Sequence, residues 1–435
     1  MQLTVHRGTK EVGGTCIEIS TERTRLILDI GLPLFDEDRE PFDSFQLRRM
    51  SKDELLAKGV LPNVLGLFTD GSPPDAILLS HAHLDHTGLL GHSQATIPVY
   101  ASRGTSKIML AGGIFAGQVT IPRDRFREIK PNQPVKIGEF TVTAFPVDHS
   151  VFGCLAYLVE ADGKSVFYSG DLRLHGRKTG MAKRLVEILS KHPIDVMLME
   201  GTHFGFADGN KVTEYELEDE IVKHVSEASG LVATYFSPQH VDRLVAFIRA
   251  AKKTGRTFVA DVYTAFILHL IASEIPVPVP GKDELIKVFY PKTFEDSAQR
   301  RGLKGLSDRF EASRISMQEI TANPAKYLMI FRPSMLEPDF DGRFPNGTTL
   351  LYSSWTGYLE KPDWKNAAEK IKAADGKLVE VHTSGHILSS DIVRFVDSIS
   401  PAMILPVHTF EPEQFKQHFP NVRLLQDREI FNIDQ

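Results

Sequence analysis

An α/β fold in two parts is what the 435-residue sequence predicts, and three observations carry that reading. Residues 1–200 are dense in short β-prone runs. From about residue 206 strand and helix alternate with short connections. The same alternation returns after residue 348 and runs to "AMILPVH".

In the first part, "RLILDIG", "AILLS", "FTVTAF", "LAYLVEA" and "SVFYSG" are apolar runs of strand length closed by Gly, Pro or Asp. Helical periodicity follows in "GMAKRLVEILSKH" and "EYELEDEIVKHVSEA". The second part reads "GLVATYF" as a strand, "QHVDRLVAFIRAAKKTG" as a helix, "RTFVADV" as a strand and "AFILHLIASE" as a helix. Such alternation builds a parallel sheet. Residues 275–348, rich in Pro, Lys and Asp, resist assignment. Beyond them "TTLLYSS", "NAAEKIKAA", "KLVEVHTSGH", "DIVRFVDSI" and "AMILPVH" alternate again.

Composition excludes several classes. Hydrophobic residues make up 42% and charged residues 24%, an ordinary globular balance. The net charge of −6 rules out a broad basic field, so a nucleic-acid ligand would need a local basic groove or bound cations. Cys16 and Cys154 alone make neither a disulfide framework nor a thiolate zinc site, so any metal must be held by His, Asp and Glu. No apolar stretch approaches the ~20 residues that span a bilayer. The N-terminus lacks a secretory apolar core, which places the chain in the cytoplasm by expectation.

The stretch "LLSHAHLDHTG" packs His81, His83, Asp85 and His86 into six positions after an apolar run. On an extended backbone His81 and His83 point to the same side. Asp85 and His86 follow as the chain turns into a helix. One loop thus offers two ligand pairs, suited to two divalent ions side by side. Further ligand types stand at the ends of later strands: His149 in "FPVDHS", Asp171 in "YSGDLR" and His408 in "LPVHTF". Singly each reads as a cap or turn residue; together they complete a coordination sphere.

The order Asp29, His81-Ala-His83-Leu-Asp85-His86, His149, Asp171 resembles the five-motif pattern of the metallo-β-lactamase superfamily. "IDVMLMEGTHFG", with Glu200, resembles a motif of the β-CASP nucleases. "VHTSGHILSSDIVRFVDSISPAMILPVHTF", with His386 and His408, resembles two more. "ATYFSPQHVDRLVAFIRAAKKTGRTFVA" resembles the β-CASP insert of ribonuclease J. The resemblance implies a four-layer α/β/β/α sandwich carrying an inserted parallel-sheet domain. The expected limits are 1–205 for the first part of the sandwich, 206–374 for the insert and 375–435 for the return. Two departures stand out. Ribonuclease J usually has His-Gly-Glu where this chain has His408-Thr409-Phe410, and THGHxDH where it has SHAHLDH. The chain also stops soon after His408, which implies that the C-terminal domain of ribonuclease J is missing.

The resemblance implies roles. His81, His83 and His149 would hold one zinc, Asp85, His86 and His408 the other, and Asp171 would bridge; manganese is the substitute. Asp29 would fix the histidine loop. Glu200 would support a neighbouring imidazole or take part in proton transfer, and His386 would touch the scissile phosphate as a charged donor or general acid. Ser237 fits a helix N-cap before Pro238, and Ser384 and Gly385 open a second helix start; both places suit phosphate. Basic groups in "AAKKTGR" and "AQRRGLKG" are further candidates to face nucleic acid.

The function this implies is two-metal hydrolysis of RNA phosphodiesters, on single strands, 5′-to-3′ exonucleolytic with endonuclease activity. DNA is the alternative substrate. A non-nuclease metallohydrolase of a small ester or phosphodiester and a catalytically silent subunit are the competing classes. No membrane partner is expected, and a homo-oligomer stays open.

Overall fold

The computed structural model describes residues 1–36, 39–47, 49–206 and 212–433. The chain divides into two compact units, one of residues 1–210 with 385–435, the other of residues 211–384.

The first unit is built on two sheets. One runs, in spatial order, Ile430–Asn432, Gln2–Arg7, Cys16–Ser20, Arg25–Leu28, Ala76–Leu78, Val99–Ala101 and Phe126–Glu128. The other runs Met403–Val407, Val196–Glu200, Lys164–Tyr168, Leu155–Ala161, Phe140–Pro146 and Pro134–Ile137. Each is mixed, with antiparallel hairpins at one side and parallel pairs at the other. Leu3, Ile17, Leu28 and Leu78 from the first sheet share one core with Val142, Tyr157, Val166 and Leu198 from the second. The sheets therefore pack face to face, as alternating inward side chains require. The central parallel strand Val196–Glu200 is buried along its whole length, hence its unbroken apolar run. Helices Arg103–Ala116, Thr179–Leu189 and Ser389–Ile399 complete the unit.

On the first sheet, burial raises the Glu18 carboxyl, but His6 and Arg25 outweigh it and hold the pKa down to about 2. A carboxyl held below its ordinary 4.5 stabilises the fold above that pH and loses the contribution as pH falls toward 2. Glu18→Gln is expected to flatten this part of the acid-unfolding curve, measured by circular dichroism.

The second unit is a seven-stranded, wholly parallel sheet in the order Arg314–Ile315, Ile286–Phe289, Thr257–Asp261, Tyr327–Ile330, Val232–Tyr235, Thr349–Tyr352 and Lys377–Glu380. Helix Val241–Lys253 lies within the segment the periodicity predicts, whereas Val262–Ile271 starts three residues before the expected 265–274 and takes Val262 from the expected strand. The unassigned stretch 275–348 supplies three strands of two to four residues. The unit ends at 384 rather than 374, because Lys377–Glu380 pairs parallel with Thr349–Tyr352. It begins at 211, whereas the expected limit was 206.

Its interior holds an ionic cluster. Arg243, fully buried, pairs with Glu214 at 3.1 Å and donates to Ser353 and to the carbonyl of Thr383. Burial and the Arg243 guanidinium push the His382 imidazole down to about 3.

Ser237 corrects one expectation. It does not cap a helix. Its carbonyl accepts from the amide of His240 at 2.9 Å in a turn, and the helix starts only at Val241 with His240 in the cap position. The Ser-Pro pair satisfies the capping pattern locally, yet the chain spends it on the turn.

Candidate metal centre and active site

Strand Ala76–Leu78 delivers "SHAHLDH" to the carboxyl end of its sheet, where His83 precedes a one-turn helix, Leu84–Thr87. His149 follows strand Phe140–Pro146, Asp171 follows Lys164–Tyr168, Glu200 ends Val196–Glu200 and His408 follows Met403–Val407. Ligand-type side chains from both sheets thus meet at one end of the sandwich. Three groups form, each with its ligand atoms within 4.8 Å of one another: His81, His83 and His149; Asp85, His86, Asp171 and His408; and Asp171, Glu200, His386 and His408.

Hydrogen bonds set which ring nitrogen faces inward. His86 Nδ1 donates to Asp29 Oδ2 at 2.8 Å, turning Nε2 toward Asp171 Oδ2 at 3.1 Å. His81 Nδ1 donates to Ser80 Oγ at 3.0 Å, and Ser80 donates to Asp29. His149 Nδ1 donates to the carbonyl of Gly385 at 2.5 Å. His408 Nδ1 donates to Thr202 Oγ1 at 3.0 Å. His386 Nδ1 donates to Glu200 Oε2 at 3.0 Å, and Glu200 Oε1 accepts from the amide of Leu172 at 2.9 Å. Fixing the outer nitrogen in this way is how ligating imidazoles are oriented.

Asp29 is the hub of this support: fully buried, it accepts from the Ser80 amide and hydroxyl, from His86 and from the Tyr168 hydroxyl. Asp29 and His408 both lie in the left-handed region, at φ +54° and +52°, where residues other than glycine are uncommon. Two glycines permit close approach. A Cβ on Gly31 would lie 1.7 Å from the carbonyl oxygen of Asp85, and one on Gly385 would lie 2.6 Å from Ser150 Oγ.

Ser80, Tyr168 and Thr202 are the site residues that sequence reasoning missed. Thr202 donates to Glu200 Oε2 at 2.8 Å and touches both His386 and His408. Its one legible signal is adjacency to Glu200 in "EGTH".

The electrostatics call for cations. Burial and neighbouring imidazoles hold His81 and His149 well below the ordinary histidine range, and burial lowers His83. For His86 burial acts downward, but Asp171, Asp29 and Asp85 prevail and raise it well above that range. His386 is likewise depressed by burial and lifted by Glu200 and Asp171, to about 9. His86 Nε2 and both carboxylate oxygens of Asp171 are buried without a hydrogen-bond partner. His83 Nδ1 lies 3.1 Å from His81 Nε2 and 3.2 Å from His149 Nε2, whose rings have already placed their protons outward. One proton cannot serve both contacts, whereas a divalent ion among them satisfies every lone pair. The residues present therefore fit divalent metal.

Two facing mixed sheets with imidazoles and carboxylates gathered at one end define a metallo-β-lactamase fold, and the separate parallel sheet is its β-CASP insert. The model of the Beta-lactamase superfamily domain matches residues 59–212. Ribonuclease J of Pyrococcus abyssi is 25% identical, over 92% of this chain and 88% of that protein. Transcription termination factor FttA of Methanococcus maripaludis is also 25% identical, over 59% of this chain but 40% of its own length. A protein of unknown function from Enterococcus faecalis V583 superposes with a TM-score of 0.79 at 21% identity, covering 99% of both chains, which supports the fold. The chain thus resembles the ribonuclease-J-like β-CASP hydrolases of the metallo-β-lactamase superfamily.

Among the described residues no helix is long and apolar enough to cross a membrane.

Proposed function

We propose that the chain is a metal-dependent ribonuclease that hydrolyses phosphodiester bonds of single-stranded RNA from the 5′ end, with endonuclease activity besides. One observation carries the reading: a single carboxylate oxygen, Asp171 Oδ2, lies within 3.9 Å of His81, His86, His149, His386 and His408. His81, His83 and His149 would hold one zinc or manganese ion, Asp85, His86 and His408 a second, with Asp171 shared. Such ions supply Lewis acidity and a more acidic water for attack on an anionic ester.

The chain's own groups do the rest. Asp29 holds His86 in its ligating orientation, and Thr202 does the same for His408. Glu200 fixes His386 beside Asp171, where the imidazole can donate to a phosphate oxygen or protonate the leaving oxygen. Asp85, besides its place in the second ligand set, lies within 3.3 Å of His408 and can take part in moving a proton from water. Ser384 and Gly385 do not open a helix, which starts only at Ser389 with Leu388 in the cap position, but they lead directly into His386 and remain the proposed contacts for a 5′ phosphate. Ser237, which caps no helix, has lost the ground for that role.

RNA as substrate is supported by the names of the ribonuclease J relatives, DNA being the alternative. A time course on end-labelled RNA and DNA with different 5′ ends, with and without zinc or manganese, tests all of this. Metal-dependent RNA cleavage, faster on 5′-monophosphorylated ends, is the expected result. Turnover of small esters with no cleavage of nucleic acid would overturn it.

A further inference from the structure

A cavity of about 870 Å³ opens in the first unit beside the metal centre. Its aromatic wall is Phe35 against Phe410, ring centroids 5.3 Å apart and edge to face, with the Arg39 guanidinium 4.9 Å over the Phe410 ring. Lys10, Lys58 and Arg428 are exposed at the same cavity. Glu11, Asp36 and Asp427 line it too: Arg7 engages Glu11 at 2.8 Å, Asp36 accepts from the Glu40 amide, and Asp427 accepts from the amide and hydroxyl of Thr9. The ion pairs of Lys10 with Glu413 and Arg39 with Glu411 are 3.4 and 3.2 Å long and solvent-exposed, so a phosphate can compete for both cations.

Short stretches of chain tie the cavity to the ligand cluster. Phe410 is two residues beyond His408, whose amide donates to the carbonyl of Gly8 at 2.8 Å. A Cβ on Gly13 would contact Asp85 on one side and Leu34, the neighbour of Phe35, on the other. Phe410 is also where this chain departs from the expected His-Gly-Glu. An aromatic face, a guanidinium and a ring of lysines and arginines on a chain of net charge −6 match one chemistry: a base to stack and a backbone to neutralise.

We propose that this cavity is a subsite for single-stranded nucleic acid, stacking one base on Phe410 and Arg39 and binding the adjoining phosphates through Lys10, Lys58 and Arg428. The proposal rests on the nuclease reading and extends it to where the strand lies on this unit.

The test is fluorescence anisotropy of a labelled phosphorothioate single strand on the full-length, metal-loaded chain, so that affinity is read without cleavage. Phe410→Ala is expected to weaken binding about tenfold, Phe410→Tyr to restore it, and Arg39→Gln to make the affinity less dependent on salt. Phe410→Ala binding as tightly as the parent, or a duplex losing as much as the single strand, would overturn the subsite. If Phe410→Ala lowers the unfolding midpoint, Arg39→Gln decides alone, and an unchanged salt dependence sinks the idea. A chain that binds through Phe410 yet never cleaves RNA refutes the nuclease reading and not the subsite; cleavage with Phe410 immaterial refutes the subsite only.

Discussion

His386→Ala is expected to lower RNA cleavage by ~10²–10⁴-fold while the metal content stays that of the parent, measured by steady-state cleavage and elemental analysis. The two readouts separate because His386 has its own anchor. Its Nδ1 is held by Glu200, and it lies 3.8 Å from Asp171 Oδ2. Its neighbours carry the remaining ligand atoms: the group His81, His83 and His149 and the group Asp85, His86, Asp171 and His408 are each complete without it. Loss of metal in this variant would show that His386 is a ligand. Full cleavage would show that it has no part in the chemistry.

Asp171→Asn has the larger structural reach. An amide can present one oxygen but not the charge that raises His86, and its nitrogen would face imidazoles from five positions. Metal retention should fall sharply and cleavage with it. The thermal midpoint in excess metal should drop toward that of the metal-free chain, since an ion that binds only the folded state stabilises by mass action. An Asp171→Asn chain that keeps a full metal complement and normal turnover would remove Asp171 from the proposed ligand set.

Legibility in the sequence followed locality. "SHAHLDH" is visible because all four side chains belong to one turn of chain. His149, Asp171, Glu200 and His408 are visible because each closes an apolar strand, and strand ends of one sheet face converge. Thr202 and Ser80 were not, since a hydroxyl in a loop carries no signal until its partner is known, and the partner of Thr202 is His408, 206 residues away. The sandwich and the parallel sheet were legible in outline. Strands such as Arg314–Ile315, two residues long, are too short for any periodicity. The expected limits put Lys377–Glu380 in the returning segment, and the strand's burial, exposed at both ends and intermediate between, does not alternate. Only its pairing with Thr349–Tyr352 tells where the insert ends.

The interruption of the first unit by the second has a consequence for synthesis. His81, His83 and His149 precede the insert, whereas His386 and His408 follow it, and strand Ile430–Asn432 closes the sheet against Gln2–Arg7. Asp85 and His408 are 323 residues apart in sequence and 3.3 Å apart in space. A nascent chain paused in the insert therefore carries all the proposed ligands but His408, and an unpaired edge at Gln2–Arg7. Contacts of such long range are slow to form. The second proposed ligand group, Asp85, His86, Asp171 and His408, is thus complete only after residue 408 has been added to the chain.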